Sequence, residues 1–304
     1  NLPSVDIIPS EHFNTVTYAG NGGTQSISVG FPTDFTWLKN RGYTHNHFVL
    51  DTVRGAPLRL VPNTSDAESN GGTGSITSFT SDGFVLGNGG GVNSSSYNYV
   101  AWNWKAGGSA SSNTNGTITS SVSANVDAGF SIVSWTHGSG SQSIGHGLSQ
   151  KPDMIIVKGR SSAGSWWTWH KGLSSETQSF IHVNTTSAAG ANVNAWNNQA
   201  PTATVFYQKE YILSNNDTGI AYCFHSVDGY SKVGSYVGNG NADGVFVHCG
   251  FSPAFIITKS TAATGWRMID NKRTPYNPST ASLYPDASGD EYTGSGHETD
   301  FTSN

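Results

Sequence analysis

The chain has 304 residues, with 15 Lys or Arg against 20 Asp or Glu and a formal net charge of −5. Charged residues make up 12% of it and glycine contributes 37 residues, so small neutral polar groups rather than charge cover its surface. So few basic groups leave no electrostatic footprint for a nucleic-acid duplex, and no apolar run approaches the roughly 20 residues of a membrane helix, so neither nucleic-acid binding nor membrane insertion is expected.

In chain order, the first signal is FNTVTYAGNG (13–22), followed by GFPTDFTWLKNR (30–41). The run TYAGNGGTQSISVGF predicts a strand, an Asn21-Gly22 turn and a second strand, the pattern of a hairpin. SFTSDGFVLG (78–87) and YVAWNWKAGG (99–108) close this first block, and KAGGSASSNTNG (105–116) reads as a Gly/Ser/Asn linker. The same order then returns. FSIVSWTHGSG (130–140) and GLSQKPDMIIVKGR (147–160) lead to VFYQKEYILS (205–214) and GIAYCFHSVDG (219–229). A third passage opens with SKVGSYVGNG (231–240) and GFSPAFIITKS (250–260), joined to the second through SVDGYSKVG (226–234).

Phe13 and Tyr18 recur as Phe130 and Trp135, and the third copy keeps Tyr236. Lys39, Lys158 and Lys259 mark one position, 119 and 101 residues apart, and Ala101 aligns with Ala221. In the third copy only DFTSN (300–304) represents the closing block. The runs of Val, Ile, Phe, Tyr and Trp bounded by Gly, Asn, Asp, Ser and Pro are β in character, and no stretch of ten residues has helical periodicity. MIIV (154–157) and FIIT (255–258) read as strands buried on both faces. The expectation is an all-β chain of tandem antiparallel β-sandwich or jelly-roll-like repeats, at 1–108 (with an N-terminal extension), 109–228 and 229–304, the third incomplete. Asn1 in a loop-like stretch, with no initiator Met and no signal-peptide pattern, reads as part of a longer or processed chain.

Chemical motifs are sparse. The GNG and GSG strings lead into strands, so they read as turns and not as phosphate loops. His45 and His47 could share one strand face, but no third ligand stands at metal-site spacing; no metal and no cofactor are expected. No serine sits in a nucleophile elbow, and 20 acidic residues offer carboxylate pairs by chance alone, so the chain is not read as an enzyme. Cys223 and Cys249, both in apolar contexts, read as buried thiols, with a disulfide between them left open. Trp102 and Trp104 share a strand face and read as core. Trp166, Trp167 and Trp169 follow the polar turn SSAGS (161–165) and are the candidate ligand-binding residues, an exposed aromatic platform for stacking sugars against the alternative of packing at a sheet edge.

Five strings carry a resemblance: TYAGNGGTQSISVGFPTDFTWLKNR (17–41), SDGFVLG (81–87), NYVAWNWKAGG (98–108), ITSSVSANVDAGFSIVSW (118–135) and GYSKVGSYVGNGNADGVFVHCGFSPAFIITK (229–259). Together they resemble the repeated β-rich domain of uncharacterised tail- and fibre-type virion proteins of tailed bacteriophages, especially phages of marine bacteria. The resemblance implies a structural or adhesion role in a virion tail, extracellular after release, and no catalytic residues. It implies other tail proteins as partners, oligomers that are often trimers, and contact with a host surface glycan or protein. Relatives of this type continue past the point matching Asn304 with a strand block resembling YVAWNWK, so the third unit is expected either to lack that block or to receive it from another chain. The alternative function is a non-catalytic carbohydrate-binding module of a secreted or surface protein.

Overall fold

A computed structural model describes residues 7–241 and 243–303. It is mostly β, with 35% strand and 3% helix arranged in several antiparallel sheets.

The first strands and the α-helix are β1 (Phe13–Ala19), β2 (Gln25–Ser28), β3 (Phe35–Asn40), β4 (Phe48–Asp51), β5 (Leu58–Arg59), β6 (Ser69–Asn70), β7 (Ile76–Thr80), β8 (Gly83–Leu86), the single-turn helix α1 (Gly90–Asn93) and β9 (Asn98–Trp104). One sheet runs β1-β9-β3-β4 and a second β2-β8-β7. The expected hairpin at 17–31 does not form. β1 pairs with β9 and β2 with β8, so the Asn21-Gly22 turn passes the chain from one sheet to the other. Buried Asn93 fixes that passage: its side chain bonds Asn21, Gly23 and Gly87, and its carbonyl accepts from Gly22 N.

Next come β10 (Ser111–Asn113), β11 (Ser120–Asn125), β12 (Phe130–Thr136), β13 (Gln142–Gly145), β14 (Met154–Gly159), β15 (Trp167–His170), β16 (Ser179–His182), β17 (Gly190–Ala191), β18 (Val205–Gln208) and β19 (Thr218–Phe224). An eight-stranded sheet runs β10-β11-β12-β19-β14-β15-β16-β17, and β13 pairs with β18. The stretch 105–116, expected as a linker, thus contains β10. Within the large sheet, β12-β19-β14-β15 stand in the same antiparallel order as β1-β9-β3-β4. Last are β20 (Phe255–Thr258) and β21 (Arg267–Asp270), which among the described strands pair only with each other.

The central strands are apolar on both faces because each face has its own core. Trp37, Trp102, Ile132, Ile156 and Tyr222 point into one shared cluster, joined by Trp266, Met268 and Leu283. Their neighbours Leu38 and Ala101 face a second cluster with Phe84 and Leu86 of β8. Val133, Ile155, Val157 and Ala221 face a third, with Ile144 of β13 and Phe206 of β18. MIIV therefore splits Ile156 from Ile155 and Val157, as a strand buried on both sides must. FIIT differs: all four residues of β20 are only half-buried, and among the described residues one edge of the strand has no paired neighbour.

Candidate functional site

The three candidate tryptophans do not form an exposed platform. Trp166 is buried in the shared cluster, and its indole N–H donates to Val61 O at 3.1 Å. Trp169 is buried in the third cluster, and its N–H donates to Glu176 O at 2.7 Å. Trp167 alone keeps partial exposure, edge-on to Phe180, His182 and Tyr211. The SSAGS turn before them is polar because it docks. Ser161 and Ser162 bond Asp217, and Gly164 N donates to Ser65 O. With the turn pinned, the chain that leaves it enters the interior.

What the structure does bring together are two carboxylate–guanidinium nodes. At the end of β4, buried Asp51 takes Arg54 Nε at 2.6 Å and the Tyr222 hydroxyl at 2.8 Å. Arg54 also reaches Val49 O and Glu68, and Glu68 receives a two-pronged contact from Arg160 at 3.0 and 2.9 Å. At the end of β21 the arrangement recurs. Asp270 takes Arg273 Nε at 2.6 Å and the Trp102 indole N–H at 3.0 Å. Arg273 reaches Met268 O and Glu291, and Glu291 receives Arg41 at 2.9 and 2.8 Å. Burial alone would lower the Arg54 pKa, but Asp51, Tyr222 and Glu68 together more than reverse this, so the pKa is raised. The hydrogen bond to Glu291 likewise raises that of Arg41. Burial raises the Tyr222 phenol well above its usual range. These groups satisfy one another inside the fold, which is what buried charges require.

The nodes carry sequence signals that the motif reading passed over. Asp51-Thr-Val-Arg54 and Asp270-Asn-Lys-Arg273 each follow a strand, and Arg41 and Arg160 each stand two positions after an aligned lysine. The lysines themselves are alike. Lys39 Nζ donates to Asn40 O and Tyr43 O, Lys158 Nζ to Gly159 O and Ser162 O, and Lys259 Nζ to Ser260 O and Ala262 O. Burial pulls the Lys39 and Lys158 amines down to about 8.

No group of three or more metal-ligating side chains occurs among the described residues. His47 is buried and accepts the Trp37 indole N–H, and burial holds its pKa well below the usual value. Cys223 and Cys249 are both free thiols. Cys223 is buried, which pushes its pKa up to about 12, and Cys249 is only half-buried. Two shallow, open depressions of about 370 and 380 Å³ flank Arg160 and Arg41, and hydroxyls such as Ser134, Thr136 and Thr218 line the first. Both arginines are already engaged by carboxylates.

Residues 8–304 match the family described as "Domain of unknown function (DUF7483)". No curated protein and no solved structure matches the chain.

Proposed function

The chain belongs to the DUF7483 family, and we propose that it serves as a non-catalytic structural module of a bacteriophage tail or tail fibre. In this reading it is built from three sandwich-like units of one design, residues 1–108, 109–228 and 229–304, closed into a ring by a single chain. One observation carries the reading. Glu68 N donates to Arg160 O, Ala189 N to Thr261 O and Glu291 N to Arg41 O. Arg41, Arg160 and Thr261 each lie two residues after an aligned lysine, so first meets second, second meets third and third meets first.

Two further sets of contacts support the same cycle. Trp166 of the second unit donates to Val61 of the first, and Trp266 of the third to His182 of the second. Tyr222 of the second unit bonds Asp51 of the first, and Trp102 of the first bonds Asp270 of the third. Side chains that carry charge are spent on these seams, which suits a building block better than an active centre. A ring of three units in one chain offers its neighbours the symmetry of a trimer, which suits a place on the axis of a threefold fibre. The partners in this reading are adjoining tail proteins.

Cryo-electron microscopy of particles from the culture that encodes the chain, with an antibody raised against the purified protein, tests this. Label on the tail or fibre is expected. A chain recovered only as a free protein, absent from every particle, overturns the virion assignment.

A further inference from the structure

Tyr43 is 51% exposed, and its ring stacks on that of Tyr97 with centroids 5.3 Å apart and planes 29° from parallel. The His45 ring stands 5.2 Å from the same tyrosine. Tyr97 also lines, with Arg41, Gly42, Ser96, Asn98 and Glu291, the depression of about 380 Å³ where the first unit meets the third. An aromatic platform joined to a polar hollow is therefore present. It stands on the loop after β3 and the turn before β9, far in sequence from Trp166, Trp167 and Trp169.

The second unit shows that the fold does not require tyrosines at this place. Arg41 N donates to Asn98 O as Arg160 N donates to Thr218 O, and Gly20 N donates to Tyr97 O as His137 N donates to Asp217 O. Lys39 Nζ reaches Tyr43 O as Lys158 Nζ reaches Ser162 O. Tyr43 and Tyr97 thus occupy the places of Ser162 and Asp217. In the second unit that contact is a hydrogen bond of 2.8 Å from the serine hydroxyl to the carboxylate, with Ser161 adding another. In the first unit two large rings make the same contact and leave half of one in water, which packing alone does not call for. Lys39 on the Tyr43 carbonyl and Gly42 N on Asn40 Oδ1 brace the loop, so the platform is set before a ligand arrives.

The chemistry of the place selects its ligand. An aromatic face carries the negative part of the ring's quadrupole and attracts the polarised C–H groups on one face of a pyranose. Ser96 and Asn98 are exposed beside Tyr97 and supply both donors and acceptors for hydroxyl groups. Arg41 is matched by Glu291, so the hollow has no surplus positive charge with which to select a phosphate or carboxylate. Its size suits a ligand of about one or two sugar rings. A protein partner would want an apolar centre, whereas the chain neighbours of the two tyrosines, Gly42, Thr44, Ser96 and Asn98, are small or polar and all exposed. We infer that Tyr43 and Tyr97, with Ser96 and Asn98, form a binding site for a neutral saccharide. This gives the proposed module a ligand. It uses the three-unit reading to match positions and does not depend on the virion assignment.

The test applies the purified 304-residue chain to a printed array of neutral and acidic bacterial surface glycans. The best-retained neutral di- to tetrasaccharide is then titrated into the chain by NMR. Binding is expected to be equal at about 0.1 M and about 1 M salt, with shifted amide resonances at residues 41–45 and 96–98. Tyr43→Ser should weaken it by about tenfold or more, and Tyr43→Phe by no more than about threefold, since stacking survives in the second. Tyr43 is exposed, so urea unfolding of both variants should match the natural chain and separate lost binding from lost fold. Asn98→Ala, also at an exposed position, should weaken binding about 2- to 5-fold and serves if Tyr43→Ser fails to fold. Retention of no glycan, retention of acidic glycans alone that high salt removes, full binding by Tyr43→Ser, or shifts confined to other residues would each overturn the site. A chain that binds sugar here but is absent from every particle keeps the site and loses the virion assignment, whereas a labelled tail whose chain binds no glycan does the reverse.

Discussion

The Glu291 carboxylate holds the Arg41 guanidinium through two hydrogen bonds of 2.8 and 2.9 Å, although the two residues stand 250 positions apart. The contact fastens the last part of the chain to the first. Glu291→Gln should therefore speed amide exchange around residues 279–299 while leaving 130–224 unchanged. The pair is partly solvated, so the global cost is about 1 kcal/mol. Hydrogen exchange followed by mass spectrometry reads both quantities, and a uniform change across the chain would refute a local fastening.

Asp51 and Tyr222 give a stronger test, because both are buried. Tyr222→Phe removes one hydrogen bond to a charged acceptor and should cost about 1.5–3 kcal/mol. Asp51→Asn leaves Arg54 without its carboxylate and should cost about 3–5 kcal/mol. The double variant should cost clearly less than the two added together, since both remove the same contact. Denaturant titrations of the four proteins measure the coupling.

Replacing Trp166 or Trp169 by Ala should destabilise the fold by about 3–5 kcal/mol, because each empties a core site. Half-buried Trp167 should cost less when truncated. Thermal unfolding of the three variants distinguishes core residues from a surface platform, on which all three changes would be mild.

Stability should depend on pH at both ends. Burial lowers His146 to about 4, with its ring against Thr202 O and Leu148 N. As pH falls from 6.5 toward 4, the unfolded chain takes up a proton that the folded chain refuses, so stability falls. Lys39 and Lys158, at about 8 when folded, act in the same direction higher up. Between pH 8 and 10.5 the unfolded chain holds more protons than the folded one, so stability rises with pH. The rise stops near pH 10, where unfolded tyrosines ionise while half-buried Tyr18 and buried Tyr222 stay neutral. Urea melts of the natural protein and of Lys39→Met should show a shallower rise in the variant between pH 8 and 10.

Gly129, in the turn between β11 and β12, has φ +64°, and a Cβ there would meet His225 O at 2.7 Å. Gly129→Ala should cost about 1–3 kcal/mol, since the left-handed backbone and the close carbonyl both oppose it. An unchanged melting temperature would show that the turn relaxes freely.

Much of the strand content was legible in the sequence by itself. Runs such as FTWLKN, MIIVKG and FIIT, set between Gly, Pro and Asp, have no other regular conformation that suits them, and the strings around Lys39, Lys158 and Lys259 match without any structure. The half-burial of β20, by contrast, was not legible in FIIT, whose composition reads as a strand buried on both faces.

Tertiary structure alone decided the rest. A turn such as Asn21-Gly22 serves equally to join two strands of one sheet or to cross between sheets, and Asn93, 72 positions away, selects the crossing. Trp166 follows a polar turn whose docking partners, Ser65 and Asp217, lie far off in the chain, so its burial has no local signature. The same holds for Arg41 and Glu291. Local sequence fixes which residues prefer an extended backbone, because that preference is steric and short-ranged. Which face meets which core, and which charge meets which, is set by contacts between distant segments, and those exist only once the chain has closed on itself.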